Sequence, residues 1–262
     1  MHIFLTNDDG FESPGIIVLA KKLSALGRVT VIAPNRGRSS CSSSLTLQQY
    51  LRLWHKESYG ENITVLSCSG TTADCCKLAL DNWLAGDLPD IIVSGINNGW
   101  NLGSDCLYSG TVAGAMEGIF FGIPSIAISA ETIKKEALLD RAASFSAELV
   151  KAFFIDRQYK GILNLNIPDL PVEEIQWNRV KTVPLGLQKY DNVIREMKDP
   201  SGRLGFWLHG KPIPGKDKTT DVYWAHQGWI TVTPIMWDQT DQRKLSLVGE
   251  TIDAQLTKAS EL

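Results

Sequence analysis

The chain has 262 residues, of which 44% are hydrophobic, and a formal net charge of −3; it is long enough for one large α/β domain or a domain with an appendage. The balanced charge and the lack of a dense Lys/Arg run interleaved with aromatics exclude a polyanion-binding surface, so a nucleic-acid polymer is not an expected partner. No stretch approaches ~18 consecutive apolar residues and the N-terminus lacks a signal-peptide pattern, so we expect no membrane association and a cytoplasmic location.

The chain begins with an apolar run that predicts a buried strand. This run, Ile3 to Leu5, stops abruptly at the polar segment "NDDG", which is typical of a strand that ends in a turn. The next segment, "SPGIIVLAKKLSALG", predicts a helix with Ser13 as N-cap, Pro14 at the first helical position and Gly27 as the stop. Because "RVTVIAP" is again apolar, the three segments together predict a βαβ unit.

The middle of the chain alternates between predicted strands and helices. After the polar loop "NRGRSSCSSS", the segments "LTLQQYLRLWH" and "ITVLSCS" alternate as in a hairpin. Helices are predicted for "TTADCCKLALDNWLA", "YSGTVAGAMEGIFFG" and "EALLDRAASFSAELVKAFF", and strands for "PDIIVSGIN", "IPSIAIS" and "GILNLNIP". This alternation favours an α/β fold in which a parallel sheet is covered by helices on both faces.

A different pattern follows from Pro171 to Pro234. The short alternating stretches "VIREM", "LGFWLHG", "VYWAHQG" and "WITVTPI" predict antiparallel hairpins, and "KLSLVGETIDAQLTKA" predicts a terminal amphipathic helix. The expected organisation is therefore an α/β core, residues 1–170, and a hairpin extension with a terminal helix, residues 171–262, that is not an independent domain.

The cysteines and histidines do not form a metal or disulfide pattern. The five cysteines are odd in number and include no C-x-x-C pair, which argues against a zinc site or a disulfide framework. We interpret them as small buried side chains, although Cys41 and Cys106 lie near the expected site and could be reactive.

Three polar loops follow strands of the predicted sheet: "TNDDG", "PNRGRSSCSSS" and "SGINNGWNLGSDCLYSGT". Because ligands of open parallel sheets bind beyond the carboxyl ends of the strands, these loops are expected to converge. Asp8 and Asp9 supply two carboxylates and the other loops supply hydroxyls and amides, which are oxygen donors that suit Mg²⁺ or Mn²⁺ better than zinc. The alternative is that both aspartates only form a solvated turn.

The third loop also contains a candidate anion site. Ser109, Gly110 and Thr111 lie where a helix is predicted to begin, and the free N–H groups and helix dipole there favour a phosphate. The alternative is that Ser109 or Thr111 only caps the helix. Arg36 or Arg38 could neutralise phosphate as well, or could simply be solvated. A cation site and an anion site on one sheet edge indicate metal-assisted phosphoryl chemistry.

Several of these motifs resemble one known family. The segments "NDDG", "APNRGRSS", "SLTL", "SGINNGWNLG" and "YSGTVAGAMEG" closely resemble those of the SurE family of stationary-phase survival proteins, which are 5′/3′-nucleotidases. The resemblance implies a Rossmann-like core and a divalent-metal-dependent phosphatase that acts on nucleoside monophosphates, with short polyphosphate as a further substrate of some members. It also implies a dimer, or a tetramer, in which the C-terminal hairpin and helix are exchanged between subunits.

The resemblance also assigns roles to individual residues. It implies one divalent cation per subunit, Mg²⁺ or Mn²⁺, with the metal ligands Asp8, Asp9, Ser39 and Asn97, of which Asp8, Asp9 and Asn97 are also catalytic. The implied phosphate-side residues are Asn101, Ser109, Gly110 and Thr111. The chain departs from the family at Ser43, Thr72 and Trp100, and Trp100 could stack on a base or narrow the entrance. Asp8 or Asp9 is expected to accept the proton of an attacking water; a covalent aspartyl-phosphate is the competing route.

Other functions are less consistent with the sequence. A dehydrogenase would need G-x-G-x-x-G after the first strand, and a haloacid-dehalogenase-type phosphatase would need D-x-D, whereas here the two aspartates are adjacent. Two alternatives stay open at this point: a nucleotide sensor that binds metal and phosphate without turnover, and a nucleotide-sugar transferase that uses Asp8 and Asp9 for its metal.

Overall fold

The computed structural model describes residues 1–191 and 194–260. Its strands in chain order are β1 (His2–Thr6), β2 (Arg28–Pro34), β3 (Leu53–Lys56), β4 (Ile63–Cys68), β5 (Ile91–Asn98), β6 (Ser125–Ala130), β7 (Ile162–Ile167), β8 (Val180–Thr182), β9 (Lys189–Asp191), β10 (Ile194–Lys198), β11 (Leu204–Leu208), β12 (Lys211–Ile213) and β13 (Ile230–Ile235). Its α-helices are α1 (Pro14–Leu23), α2 (Thr72–Leu78), α3 (Gly110–Met116), α4 (Glu136–Val150), α5 (Asp221–His226) and α6 (Leu245–Ser260).

A nine-stranded sheet of order β3-β4-β2-β1-β5-β6-β7-β13-β8 forms the centre of the fold. Its six inner strands, from β4 to β7, are all parallel. Beyond them, β3 pairs antiparallel with β4, and β13 pairs antiparallel with β7 and parallel with β8. The predicted α/β fold is therefore confirmed, and the carboxyl ends of the parallel strands share one edge of the sheet.

Helices pack on both faces of this sheet. The five residues of β1 are all buried, and successive side chains of a strand point to opposite faces. Accordingly, Ile3 and Leu5 belong to the core cluster that includes α1 and α4, whereas Phe4 belongs to a second cluster that includes α2. The helix α1 begins at Pro14 behind the N-cap residue Ser13, as predicted, but it ends at Leu23, before Gly27.

The structure corrects three secondary-structure predictions. In "LTLQQYLRLWH", only the last part forms a strand: Gln48 has a left-handed φ of +57° and Tyr50 is 94% exposed, so β3 begins only at Leu53. The segment "VYWAHQG" is the helix α5, because Val222 and Ala225, three residues apart, are both buried beside Leu102. The segment "WITVTPI" contains β13, which pairs with β7 in the main sheet and not within a hairpin of the extension.

Two other features of the extension agree with the sequence. The strands β10 and β11 form an antiparallel hairpin whose residues are all exposed; the predicted stretch "VIREM" starts at residue 193, which lies outside the described residues. The predicted terminal helix is α6, and Leu245, Val248, Ile252 and Leu256 form an exposed apolar stripe along it. Since β8 and β13 share the sheet of the core, the division at residue 170 stays a prediction of the sequence.

Within the described ranges, no helix combines the length and the apolar character needed to span a bilayer.

Candidate active site

A cavity of about 670 Å³ opens at the carboxyl edge of the parallel strands. Five of the predicted site residues line it: Asp8, Ser39, Asn97, Asn101 and Ser109. The extension contributes part of the opposite wall through Tyr190, Leu208, His209 and Gly210. The volume is within the range of about 300–1,000 Å³ that is usual for small-molecule sites.

The carboxylate of Asp8 is buried against the first turn of α3. The Thr111 hydroxyl donates a 2.5 Å hydrogen bond to Asp8 Oδ1. Burial raises the pKa of Asp8, and hydrogen bonds from the Thr111 hydroxyl and from the backbone N–H groups of Gly110 and Thr111 oppose this rise. A Cβ at Gly110 would lie only 2.8 Å from Asp8 Cβ and 2.9 Å from Asp8 Oδ2. Glycine at this position therefore permits the close approach of the carboxylate to the helix.

Asp9, the second carboxylate, is half-buried beside the end of β5. The backbone N–H of Asn98 donates a 3.1 Å hydrogen bond to Asp9 Oδ2. Burial, followed by the charge of Asp8, raises the pKa of Asp9. In residues 1–191 and 194–260, no Lys, Arg or His side chain neutralises either carboxylate. Two adjacent carboxylates in this environment lack a counter-charge, which a divalent cation would supply.

Ser39 and Asn97 reach the same cavity from the two neighbouring strand ends. The backbone N–H of Arg38 donates to the Asp8 carbonyl oxygen at 2.6 Å, which holds the loop after β2 against Asp8 and leaves Ser39 exposed on the cavity wall. Asn97 lies just beyond a register shift between β5 and β6. Its Nδ2 donates to the Gly99 carbonyl oxygen at 2.8 Å, so its Oδ1 is the amide atom that remains to accept a ligand.

These four residues fit a hard divalent cation by the chemistry of their donors. Carboxylate, hydroxyl and amide oxygens are the ligands that Mg²⁺ and Mn²⁺ prefer. No group of three or more His, Cys, Asp or Glu side chains suited to a metal occurs in the part of the chain that the structure describes. A cation at this edge would therefore depend on the neutral donors as well as on the Asp8–Asp9 pair.

The structure gives local roles to the residues predicted on the phosphate side. Ser109 Oγ accepts a 3.1 Å hydrogen bond from the Val112 N–H and so caps α3, while Gly110 and Thr111 support Asp8. Asn101 is buried, and its Nδ2 donates to Ser129 Oγ at 2.7 Å. Phosphate contacts by these four residues stay a prediction.

Other residues noted in the sequence have structural partners. Arg38 Nη2 donates to the Ser69 carbonyl oxygen at 2.7 Å, and no lysine or arginine is among the described residues that line the cavity. Trp100 lines the cavity, but its Nε1 donates to the Ile167 carbonyl oxygen at 3.1 Å and its ring packs edge-on against His226. The indole is thus anchored to the sheet and to α5.

Sequence reasoning missed the wall formed by the extension. Tyr190 lies on β9 and its hydroxyl donates to the Asp105 carboxylate, which is also at the cavity. His209 follows β11 and lies on the same wall. The segment "LGFWLHG" predicts a hairpin, but no local signal in it indicates that the hairpin folds back toward the edge of the sheet.

Comparisons with known proteins show which proteins this chain resembles. The family model described as survival protein SurE matches residues 3–192. The chain is 40% identical to the 5′-nucleotidase SurE of Alkaliphilus metalliredigens over 92% of this chain and 94% of that protein. It is 42% identical to the 5′-nucleotidase SurE of Alkalilimnicola ehrlichii over 95% of this chain and 94% of that protein. It also matches the crystal structure of a SurE protein from Aquifex aeolicus with a TM-score of 0.80 and 34% identity, over 96% of this chain and 99% of that chain.

Proposed function

The chain belongs to the SurE family, and we propose that it is a divalent-metal-dependent phosphatase that hydrolyses nucleoside 5′-monophosphates to nucleoside and phosphate. One observation carries the metal-dependent part: the cavity is lined by carboxylates and, among the described residues, by no lysine or arginine. A phosphate dianion would be repelled from such a wall unless a bound cation reversed its charge. Nucleoside 3′-monophosphates and short polyphosphate are further candidate substrates.

Asp8, Asp9, Ser39 and Asn97 are the residues that would hold the cation. When bound, Mg²⁺ or Mn²⁺ would lower the pKa of a water and withdraw charge from the phosphate. The uncompensated carboxylates and the free Asn97 Oδ1 support this assignment.

The chain's own groups would supply orientation and proton transfer. The Thr111 hydroxyl and the Asn98 N–H hold the two carboxylates in place. Held in this orientation, either carboxylate would be placed to accept the proton of an attacking water. Asn101 and Ser109 also line the cavity, and they are the residues proposed to contact a phosphate oxygen. Attack by an aspartate, with a covalent aspartyl-phosphate, is the competing route.

The proposal extends to assembly and location. The exposed apolar stripe of α6 and the exposed β10–β11 hairpin support a homodimer or tetramer that covers these surfaces, because monomers rarely expose large contiguous apolar patches. Multi-angle light scattering after gel filtration would measure the assembly. A cytoplasmic location remains a prediction that cell fractionation would test.

A phosphate-release screen tests the proposed function. The purified protein is stripped with a chelator and then assayed on all nucleoside 5′- and 3′-monophosphates with Mg²⁺, Mn²⁺ or Ca²⁺. We expect release of phosphate from 5′-monophosphates only when metal is restored. Binding of nucleotide without any release would instead identify a sensor.

A further inference from the structure

Asp221 is a buried carboxylate outside the cavity that ties separate chain segments together. It is 0% exposed and is the first residue of α5. Its Oδ2 accepts a 2.8 Å hydrogen bond from the Gly103 N–H, and its Oδ1 accepts from the Gly186 N–H at 2.7 Å and from the Val222 N–H at 2.8 Å. Backbone N–H groups therefore stabilise the negative charge of Asp221, since no cationic side chain among the described residues pairs with it.

The two glycines that bond Asp221 belong to segments that line the cavity. Gly103 lies in residues 101–109, the loop that carries Asn101, Asp105 and Ser109 to the cavity wall. Gly186 lies just before Tyr190, which belongs to the wall formed by the extension. A Cβ at Gly103, whose φ is +50°, would lie 2.3 Å from the Gly186 carbonyl oxygen. The two backbones are thus in direct contact beside the Asp221 carboxylate.

Further contacts between the two segments extend from Asp221 toward the cavity, and we call this row of contacts, from Gly103–Gly186 to Asp105–Tyr190, the seam. The Gln188 N–H donates to Ser104 Oγ at 3.1 Å, and the Tyr190 hydroxyl donates to the Asp105 carboxylate. The contacts follow in order along both segments, from Gly103 with Gly186 to Ser104 with Gln188 and Asp105 with Tyr190. Asp221 therefore lies at the buried end of the seam, whose other end, at Asp105 and Tyr190, forms part of the cavity wall.

We propose that Asp221 is a positioning residue for substrate. Its carboxylate fixes the loop 101–109 and the segment 186–190 to each other, and so sets the position of the cavity wall that these two segments form and that the substrate would contact. It does not line the cavity and takes no part in the chemical step. The inference rests on the proposed function, because it assumes that a phosphorylated substrate occupies this cavity.

The contacts require a carboxylate and not merely a side chain of that size. An aspartate has two acceptor oxygens and no donor, which matches the N–H groups that face it. In the variant Asp221→Asn, the amide group would place its own N–H donors against one of these backbone donors. That change removes at least one hydrogen bond and leaves a backbone N–H unsatisfied without altering the volume.

The expected defect is in substrate binding. Asn101, Asp105 and Ser109 lie on the loop that Asp221 holds, whereas Asp8 and Asp9 follow β1 and Asn97 lies near the end of β5. Displacement of the loop would weaken contacts made equally in the ground state and the transition state, which raises KM and leaves kcat nearly unchanged. We expect the KM for AMP to rise about tenfold, with the half-saturating Mn²⁺ concentration unchanged. A merely structural role would lower the fraction of folded enzyme, and hence the apparent kcat, at an unaltered KM.

The experiment compares Asp221→Asn with a matched control on the same segment. Asp217 also accepts hydrogen bonds from a backbone N–H and a hydroxyl, both of Thr219, but it is exposed and has no hydrogen bond to the loop 101–109. Asp217→Asn should keep the KM of the parent enzyme. A parental KM in Asp221→Asn, or an equal rise in both variants, would overturn the inference.

A second variant and a second measurement keep the inference testable if Asp221→Asn does not fold or if the parent enzyme is inactive. If Asp221→Asn does not fold, Ser104→Ala removes the next contact of the seam and should raise KM by about threefold; an unchanged KM would overturn the inference. If the parent enzyme releases no phosphate from any nucleotide, the proposed function fails. Amide hydrogen exchange then still tests the contact, because faster exchange at both Gly103 and Gly186 in Asp221→Asn supports it and unchanged exchange contradicts it.

Discussion

Gly110 allows Asp8 to lie close to the start of α3 in the candidate active site, and Gly110→Ala tests what this close approach does. The added Cβ would lie 2.8 Å from Asp8 Cβ and 2.9 Å from Asp8 Oδ2. Because nonbonded carbon atoms prefer separations of about 3.5–4.0 Å, Asp8 or the start of α3 must move by about 0.7 Å or more. The carboxylate of Asp8 would then no longer keep its position relative to Asp9 and Asn97.

The effect on activity should far exceed the effect on stability. A displacement close to 1 Å at a reacting group can lower turnover about 10²-fold, so we expect a loss of this order in kcat/KM. Overpacking costs about 1–3 kcal/mol, and a Gly to Ala change in a helix otherwise stabilises by about 0.4–1 kcal/mol. The net loss in the free energy of unfolding is therefore expected to lie between about 0 and 2.6 kcal/mol.

Phosphate release from AMP at saturating Mn²⁺, with urea denaturation in parallel, measures both quantities. Gly86→Ala is the matched control, since a Cβ at Gly86 meets nothing within 4 Å, and it should keep the parental kcat/KM. A folded Gly110→Ala variant with near-parental kcat/KM would refute the argument that the position of Asp8 against α3 matters for turnover.

Three further predictions concern metal binding, an ion pair and assembly. Mn²⁺ at 100 times its dissociation constant should stabilise the metal-free protein by about 2.7 kcal/mol, which a thermal melt would show as a higher melting temperature. Asp9→Asn should abolish most of this increase, and an equal increase in the variant would contradict the assignment of Asp9 as a metal ligand. Lys77 Nζ lies 3.2 Å from Glu117 Oε2, and burial raises the pKa of Glu117 while Lys77 opposes the rise. Lys77→Met should therefore raise the pKa of Glu117 further and destabilise the protein by about 1–3 kcal/mol at pH 8. The loss should vanish below the pKa that Glu117 has in the unfolded chain, near pH 4, because Glu117 is then protonated in both the folded and the unfolded state. Equal losses at the two pH values in urea denaturation would contradict a role of this ion pair. Ile252→Asp on the apolar stripe of α6 should shift the light-scattering mass toward the monomer, and an unchanged oligomer would show that α6 is not in the interface.

Much of the fold follows from local patterns in the sequence. The apolar runs of β1, β2, β5, β6 and β7 predict strands buried on both faces, and the helical spacing between them predicts the covering helices. The helix α5 was missed because its short segment "VYWAHQG" resembles an alternating strand, while the burial of Val222 and Ala225 beside Leu102 depends on tertiary packing. The position of β13 was missed because pairing with β7 is a long-range choice that no local signal encodes.

The candidate site was predictable where it lies directly after strands of the sheet. Asp8, Ser39 and Asn97 follow or end such strands, and parallel topology alone places them at one edge. The support of Asp8 by Gly110 and Thr111 was not predictable, because it depends on how closely α3 approaches the end of β1. The same holds for the contact of Tyr190 with Asp105 and for that of Asp221 with Gly103, which join residues more than 80 positions apart.

The central claim is that Asp8, Asp9, Ser39 and Asn97 together bind one divalent cation beside a phosphate. Anomalous diffraction from a crystal of the protein grown with Mn²⁺ and phosphate tests it directly. The account predicts one strong manganese peak within about 2.5 Å of oxygen atoms of all four side chains, with a phosphate oxygen next to it. A peak at another place, or a fully occupied manganese that lacks Asp8 and Asp9 among its ligands, would contradict it.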